Sequence, residues 1–565
     1  VSSDALLQWI LGVSGREQVR RARRQLRRDL HTLSAHLDAD ERAFIAEMDR
    51  RAKAPHLTLA ETPDGVPFHI RLSDLTRHGW VTGSTGSGKT RLVLVLLRQL
   101  LARLVAGDEF AVILLGLEGD LVDLTLRTLG MLLERAAAAR RDEVLSRLLV
   151  ARFFRATGDA TLPPWNILAP SPHVPLLVQA QTIAEILEHS LGAPLGSRQD
   201  TALTMLLALA IEHGLPVNAL RILLHDREAL EARASRSKET LLRSYFEGRF
   251  ARESPATLDG IASRLDRLLS LDAGLRGALA GPGTIDFAAR YRPGSVTCLD
   301  FSGVSLGGEG ARLALSALSI RSLFSAALSA ARRIEGPTLI VIDEAQLAMT
   351  PATLAALSTA LTTIRHANVG IYLLNQSLVQ LPRDFSHLAA TNLTYRFLGR
   401  SGSADASLSA EFLPRTGRVL KTRSPFTPPG DRIEYLSRAE EEAHRVTECG
   451  ALPRRTFFVT DRSAPFGVKR IVLPVFDPPA WESFAPDLRA ALERGATGVP
   501  RSELVERARQ VEAQALSEAA RGGSEPGDDP VRARRQGGRA RTAIPQTPDA
   551  VARSARWRRK GGHQS

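Results

Sequence analysis

Cysteine is almost missing: Cys298 and Cys449 are the only two in 565 residues. Two distant thiols build neither a disulfide framework nor a Cys-rich zinc site, and the usage fits a reducing cytoplasm. The 13 histidines are scattered. No HExxH and no paired spacing marks a histidine metal centre. No apolar run reaches the length of a membrane span. The opening ALLQWILGV (Ala5–Val13) is short and follows no basic segment, which argues against a signal peptide. The chain starts at Val1, which fits either a GTG start or a gene that has lost an upstream anchor. These absences together point to a cytoplasmic protein, held at most at the inner face of a membrane by partners.

What is present is an ordinary core and an unusual charge. Hydrophobic residues make up 44% and charged residues 24%, enough for a large globular body of more than one unit. The net charge is +13. It reads either as arginine used for surface solubility or as the mark of a polyanion partner such as nucleic acid. Most of it sits at one end. Ten cations, from Arg532 to Lys560, follow Asp529 and face only Asp549. That tail, 525–565, is rich in Gly, Pro and Arg and reads as disordered; it would bind phosphate non-specifically or simply solubilise the chain.

The pattern divides the chain into six stretches. Residues 1–55 form a basic amphipathic helical segment, with Val19, Leu26, Leu30, Leu33 and Leu37 at helical spacing between arginines. Residues 56–174 read as short strands, a Gly-rich loop, a helix and a buried strand, FAVILLGL, which opens an α/β nucleotide-binding domain. Residues 175–280 hold Leu/Ala-rich helical periods and little strand, an all-helical insertion. The strand signature resumes over 281–480, with TLIVIDEAQ, VGIYLLNQS and a terminal hairpin around SAPFG. A helical extension, 481–524, precedes the tail.

Two motifs carry the chemistry. GSTGSGKT matches G-x-x-x-x-G-K-[ST] over Gly83, Ser84, Thr85, Gly86, Ser87, Gly88, Lys89 and Thr90, with Arg91 next on the helix. Glycines let backbone N–H groups turn onto phosphate oxygens. Lys89 would neutralise the β- and γ-phosphates, and Thr90 would offer a hydroxyl to Mg²⁺. In TLIVIDEAQ an apolar strand ends in two carboxylates. Asp343 would hold Mg²⁺ through water, and Glu344 would act as general base on the attacking water. Gln376, at the end of a second apolar strand, would sense the γ-phosphate or orient that water. The cofactors are thus ATP and Mg²⁺. SLGGEG (Ser305–Gly310) has the wrong residue order for an ABC-type signature and reads as a Gly-rich turn before a helix.

Taken with LEGDL (Leu117–Leu121), PPWNIL (Pro163–Leu168), the helical insertion and IRHANVGIYLLNQSLVQLP (Ile364–Pro382), these motifs resemble the HerA/FtsK superfamily of ring motors. The nearer likeness is to conjugative ATPases of the TraG/TraD coupling type. The resemblance spans roughly 56–475. It implies a RecA-like sheet, a homo-hexamer, and an ATP site completed by an arginine from the neighbouring subunit. Arg365 matches that arginine-finger position, with Arg396 and Arg400 as alternatives. The implied partners are DNA of unknown strandedness and relaxase or secretion-system components. Two departures stand out: coupling proteins usually carry an N-terminal membrane anchor, and many relatives have Lys where this chain has Glu118. A DNA-translocating ATPase leads; a secretion ATPase acting on protein and a nucleotide-gated DNA-binding scaffold are the alternatives. An intact Glu344 argues against the scaffold, which has no need of a general base.

Overall fold

The structure is a computed structural model. It describes residues 56–154 and 161–522, apart from 172–173, 192–193, 271–272, 282, 304–308, 331–333, 383–384, 386–390, 414–434 and 462–467. The basic segment 1–55, the tail 525–565, most of SLGGEG and the tip of the terminal hairpin lie outside the described residues. The chain divides into two units, Val1–Ala519 and Ala520–Ser565. The elements below belong to the first.

Thirteen strands are described in chain order: β1 (His56–Glu61), β2 (Pro67–Arg71), β3 (Gly79–Thr82), β4 (Ala111–Gly116), β5 (Leu148–Arg152), β6 (Thr161–Leu162), β7 (Val296–Asp300), β8 (Thr338–Asp343), β9 (Val369–Asn375), β10 (Tyr395–Leu398), β11 (Thr456–Asp461), β12 (Val468–Val472) and β13 (Val499–Pro500). Eleven form one sheet in the order β2-β1-β12-β11-β10-β3-β9-β8-β4-β7-β5. From β10 to β5 every pairing is parallel; from β10 outward to β2 every pairing is antiparallel. β13 and β6 make a separate antiparallel pair.

Sequence pattern explains this division. A parallel strand covered on both faces is apolar throughout. β4 (AVILLG) and β8 (TLIVID) are buried at every position. β1 and β2 at the antiparallel edge show exposed positions between buried ones. Successive side chains of a strand point to opposite faces, and the core follows that rule. Val112 and Leu114 of β4 and Leu339 and Val341 of β8 pack with the helix Lys89–Ala106 on one face. Ile113, Leu115, Ile340 and Ile342 pack on the other face with the helices of 176–280, the helix Glu309–Ala330 and the helix Pro351–Thr363. Truncating one of these side chains to alanine costs about 2–5 kcal/mol. The fold is a RecA-like α/β sheet with an all-helical insertion between β6 and β7.

One expectation needs correction. The stretch Glu309–Ser329 of the helix Glu309–Ala330 is long and apolar enough to cross a membrane, by length and composition only. Arg312 and Arg321 interrupt it in the sequence, which hides the length of the apolar stretch. Most of it is buried in the core beneath the sheet, where Ala314, Leu315, Ala317, Leu323 and Phe324 are fully covered.

Candidate functional site

In parallel α/β sheets ligands bind beyond the carboxyl ends of the strands. Here the sheet order puts β9 between β3 and β8. The phosphate loop leaves the end of β3, the two carboxylates leave the end of β8, and Gln376 leaves the end of β9 between them. Register keeps the ends level. Thr82 pairs with Asn375, and Asp343 pairs with Gly116 of β4. A buried hydrogen bond locks β3 to β9: Trp80 Nε1 donates to Asn375 Oδ1 at 2.5 Å. The rings of Phe385 and Phe412 stand edge-on against Trp80.

The loop has the backbone that its glycines permit. Gly83 and Gly88 have φ of +152° and +108°, and a Cβ at Gly83 would lie 2.8 Å from Ser87 Oγ. A Cβ at Gly88 would press on the backbone of Arg455 at 3.1 Å. Two distant loops brace this turn: Ser84 N–H donates to the Arg400 carbonyl at 2.7 Å, and Arg455 N–H donates to the Ser87 carbonyl at 2.8 Å. The helix Lys89–Ala106 starts at Gly88 with no side-chain cap. Its first N–H groups have no intrahelical acceptor and suit an anion.

Lys89 is 6% exposed, and its Nζ donates to the Gly83 carbonyl at 2.7 Å. Burial holds its pKa below the usual lysine value, against the opposing charges of Glu344 and Asp343. Asp343 is 4% exposed. Burial, then the charge of Glu344, pushes its pKa up to about 7, although Lys89 and the Glu344 N–H act the other way. Asp120, in the LEGDL turn after β4, adds to the rise.

Glu344 sits in the left-handed region at φ +51°, ψ +48°, and heads the 3-10 turn Ala345–Ala348. Gln376 Nε2 donates to Glu344 Oε1 at 2.8 Å. Thr85 Oγ1 donates to Gln376 Oε1 at 3.0 Å. Gln376 thereby links the phosphate loop to the carboxylate.

These residues fit a nucleoside triphosphate with Mg²⁺. Ser87 Oγ is buried and meets no hydrogen-bond partner among the described residues. A phosphate oxygen would satisfy it. Thr90, on the first turn of the helix, and Asp343 are the oxygens available to the metal, and a divalent cation would offset the cost of ionising Asp343. The Arg91 guanidinium is taken up elsewhere, by the Phe476 carbonyl at 3.2 Å and the Asp477 carboxylate.

The arginine candidates do not converge. Arg365 lies in the turn Ile364–Ala367, before the first residue of β9, whereas Gln376 follows its last. A seven-residue strand separates them, roughly 20 Å at about 3.3 Å per residue. The Arg365 backbone thus lies at the opposite end of β9 from Gln376; its side chain lies outside the described ones. Arg396 stands in β10 with its guanidinium over the Phe412 ring. Arg400 is on its own phosphate loop through its carbonyl. The sequence did not single out Gln346, Asn375 or Arg455. Gln346 was within the quoted motif; Arg455 gives no local signal, because it meets the loop only through the pairing of β10 with β11.

A fold of this order with a phosphate loop, a cation and two carboxylates at one strand edge defines a P-loop NTPase. Residues 57–310 match the family model described as "Helicase HerA, central domain". No curated protein matches the chain. Among solved structures, the chain is similar to VirB4 of Thermoanaerobacter pseudethanolicus, at 15% identity and a TM-score of 0.46, over 75% of this chain and 97% of that one. It is also similar to the bacterial conjugative coupling protein TrwBdeltaN70, at 17% identity and a TM-score of 0.47, over 76% and 91%. TrwB in complex with ADP and Mg²⁺ matches at 16% and 0.47, over 76% and 90%. The likenesses are distant, and the fold class rests on the strand order itself.

Proposed function

We propose that this chain is an ATP-hydrolysing ring motor that translocates DNA, in a conjugative coupling or HerA/FtsK-like role. The observation that carries the hydrolytic half is the junction of Lys89, Asp343, Glu344 and Gln376 at the ends of β3, β8 and β9. Backbone N–H groups of 85–86 and 88–90 and the Lys89 ammonium bind the β- and γ-phosphates. Thr90 and Asp343 would hold Mg²⁺, which would neutralise charge on the phosphate oxygens. Gln376 exchanges its bond with Glu344 for one to the γ-phosphate or the attacking water. Glu344 takes the proton of that water as the γ-phosphoryl group leaves ADP.

The ring rests on Arg365. At the far end of β9 it has no use for its own nucleotide, and a cation there suits the γ-phosphate of a neighbouring subunit. The polymer rests on the helicase family match, over 57–310, and on the cationic tail. The test is ATP turnover by the full chain, with its assembly state measured alongside, with and without single- and double-stranded DNA. Stimulation by either strand form supports translocation. An assembled ring that hydrolyses ATP but ignores both DNAs overturns the DNA half and favours a polypeptide cargo.

A further inference from the structure

Glu344 is held at both carboxylate oxygens. Gln376 reaches Oε1, and Gln346 Nε2 donates to Oε2 at 2.7 Å. Only the NH₂ end of a glutamine can donate to a carboxylate, so the orientation of both amides is fixed by chemistry. The two holders differ in what else they touch. Gln376 is tied to the phosphate loop through Thr85, which places it where a bound nucleotide would act on it. Gln346 belongs to the same 3-10 turn as Glu344, two residues on. That turn is closed by its own hydrogen bond, Leu347 N–H to the Glu344 carbonyl at 2.9 Å.

Two features of this turn are unfavourable on their own. Glu344 occupies a left-handed conformation that a branched-free but bulky side chain seldom adopts. Gln346 Oε1 is buried and accepts no hydrogen bond among the described residues. An apolar residue of similar size would fill the place without an orphaned acceptor. The amide is therefore retained for its other end, the bond to Glu344.

We propose that Gln346 is a positioning residue for Glu344. It keeps Oε2 fixed through the nucleotide cycle, so that when Gln376 is drawn to the γ-phosphate, the freed Oε1 already faces the water. The step served is one proton from water to Oε1, with the water oxygen bonding to Pγ while the β–γ bridging oxygen departs on ADP with the bonding pair. This rests on the reading of Glu344 as the general base.

The experiment uses the full chain carrying Gln346→Leu, which removes the donor, and Gln346→Glu, which keeps the shape and reverses the interaction. Turnover is measured beside the affinity for a fluorescent non-hydrolysable ATP analogue and the melting temperature. The expected result is a fall in kcat of roughly 10- to 100-fold, with analogue affinity and melting temperature retained. In a Glu344→Gln background, Gln346→Leu should lower residual turnover no further, because its effect runs through the missing carboxylate. Unchanged kcat in both variants overturns the inference, as does a further multiplicative loss in the Glu344→Gln background, which a purely structural role would give. Glu344→Gln inactive beside active Gln346 variants removes this inference and leaves the ATPase reading standing. A wild type without turnover removes both.

Discussion

Asp343→Asn should make the nucleotide-free protein more stable while destroying its use of Mg²⁺. Folding carries the Asp343 carboxyl from an ordinary 3.8 up to about 7, chiefly through burial. A carboxyl whose folded pKa is raised binds its proton more tightly in the native state. Stability is then highest below about pH 4, falls as pH rises toward 7, and the full cost is present above that. A shift of about three units corresponds to about 4 kcal/mol at about 1.36 kcal/mol per unit. Asparagine removes that cost, but Lys89 loses one of the two carboxylates that offset its own burial. The net gain is therefore smaller than that, on the order of 1–3 kcal/mol. The assay is thermal unfolding without nucleotide or Mg²⁺ at about pH 5 and about pH 8, where a gain of this size raises Tm by a few degrees. The variant should lead at the higher pH, converge toward the wild type at the lower one, and gain nothing from Mg²⁺ with ATP. A variant no more stable than the wild type at about pH 8, with the same fall in stability as pH rises, would refute the argument that ionised Asp343 is the costly group.

Glu344→Gln should bind ATP and hold it, with turnover reduced on the order of 100-fold or more; equal turnover in a filter-binding and phosphate-release comparison would remove Glu344 as the base. Trp80→Phe should leave the buried Asn375 oxygen without its donor and cost about 1–3 kcal/mol, read from the denaturant midpoint. Arg365→Ala subunits should be inactive alone yet bind nucleotide. Mixing them with Lys89→Ala subunits should restore part of the turnover, since some interfaces then pair an intact phosphate loop with an intact arginine. Absence of any rescue in co-assembled rings would refute the trans arrangement.

The parts of the fold that were legible are those written in contiguous residues. FAVILLGL, TLIVIDEAQ and VGIYLLNQS declare buried parallel strands because apolar burial on both faces leaves no room for alternation. The hairpin of β11 with β12 and that of β1 with β2 follow from short strands around turn residues. Strand order was not legible. Nothing in Tyr395–Leu398 announces that it lies beside β3, because that choice is made by packing between segments over 300 residues apart. The two-residue pairing of β13 with β6 is shorter than any periodic signal.

The site divides along the same line. Phosphate loop and carboxylates are local strings whose backbone geometry follows from residue type, so their existence could be read directly. Their mutual placement depends on β9 running between β3 and β8, and only the sheet order supplies that. The length of β9 separates the Arg365 backbone from Gln376. In the sequence they are near neighbours, and spacing alone does not say that they lie at different ends of a strand. The intervening segment is an extended strand rather than a helix or loop, and an extended strand carries its two termini to opposite ends of the sheet along the strand direction. The assignment of Arg365 to a neighbouring subunit came from resemblance alone, and the strand adds the reason that spacing could not: its two ends belong to two surfaces, and only the one with Gln376 carries the phosphate loop of the same chain.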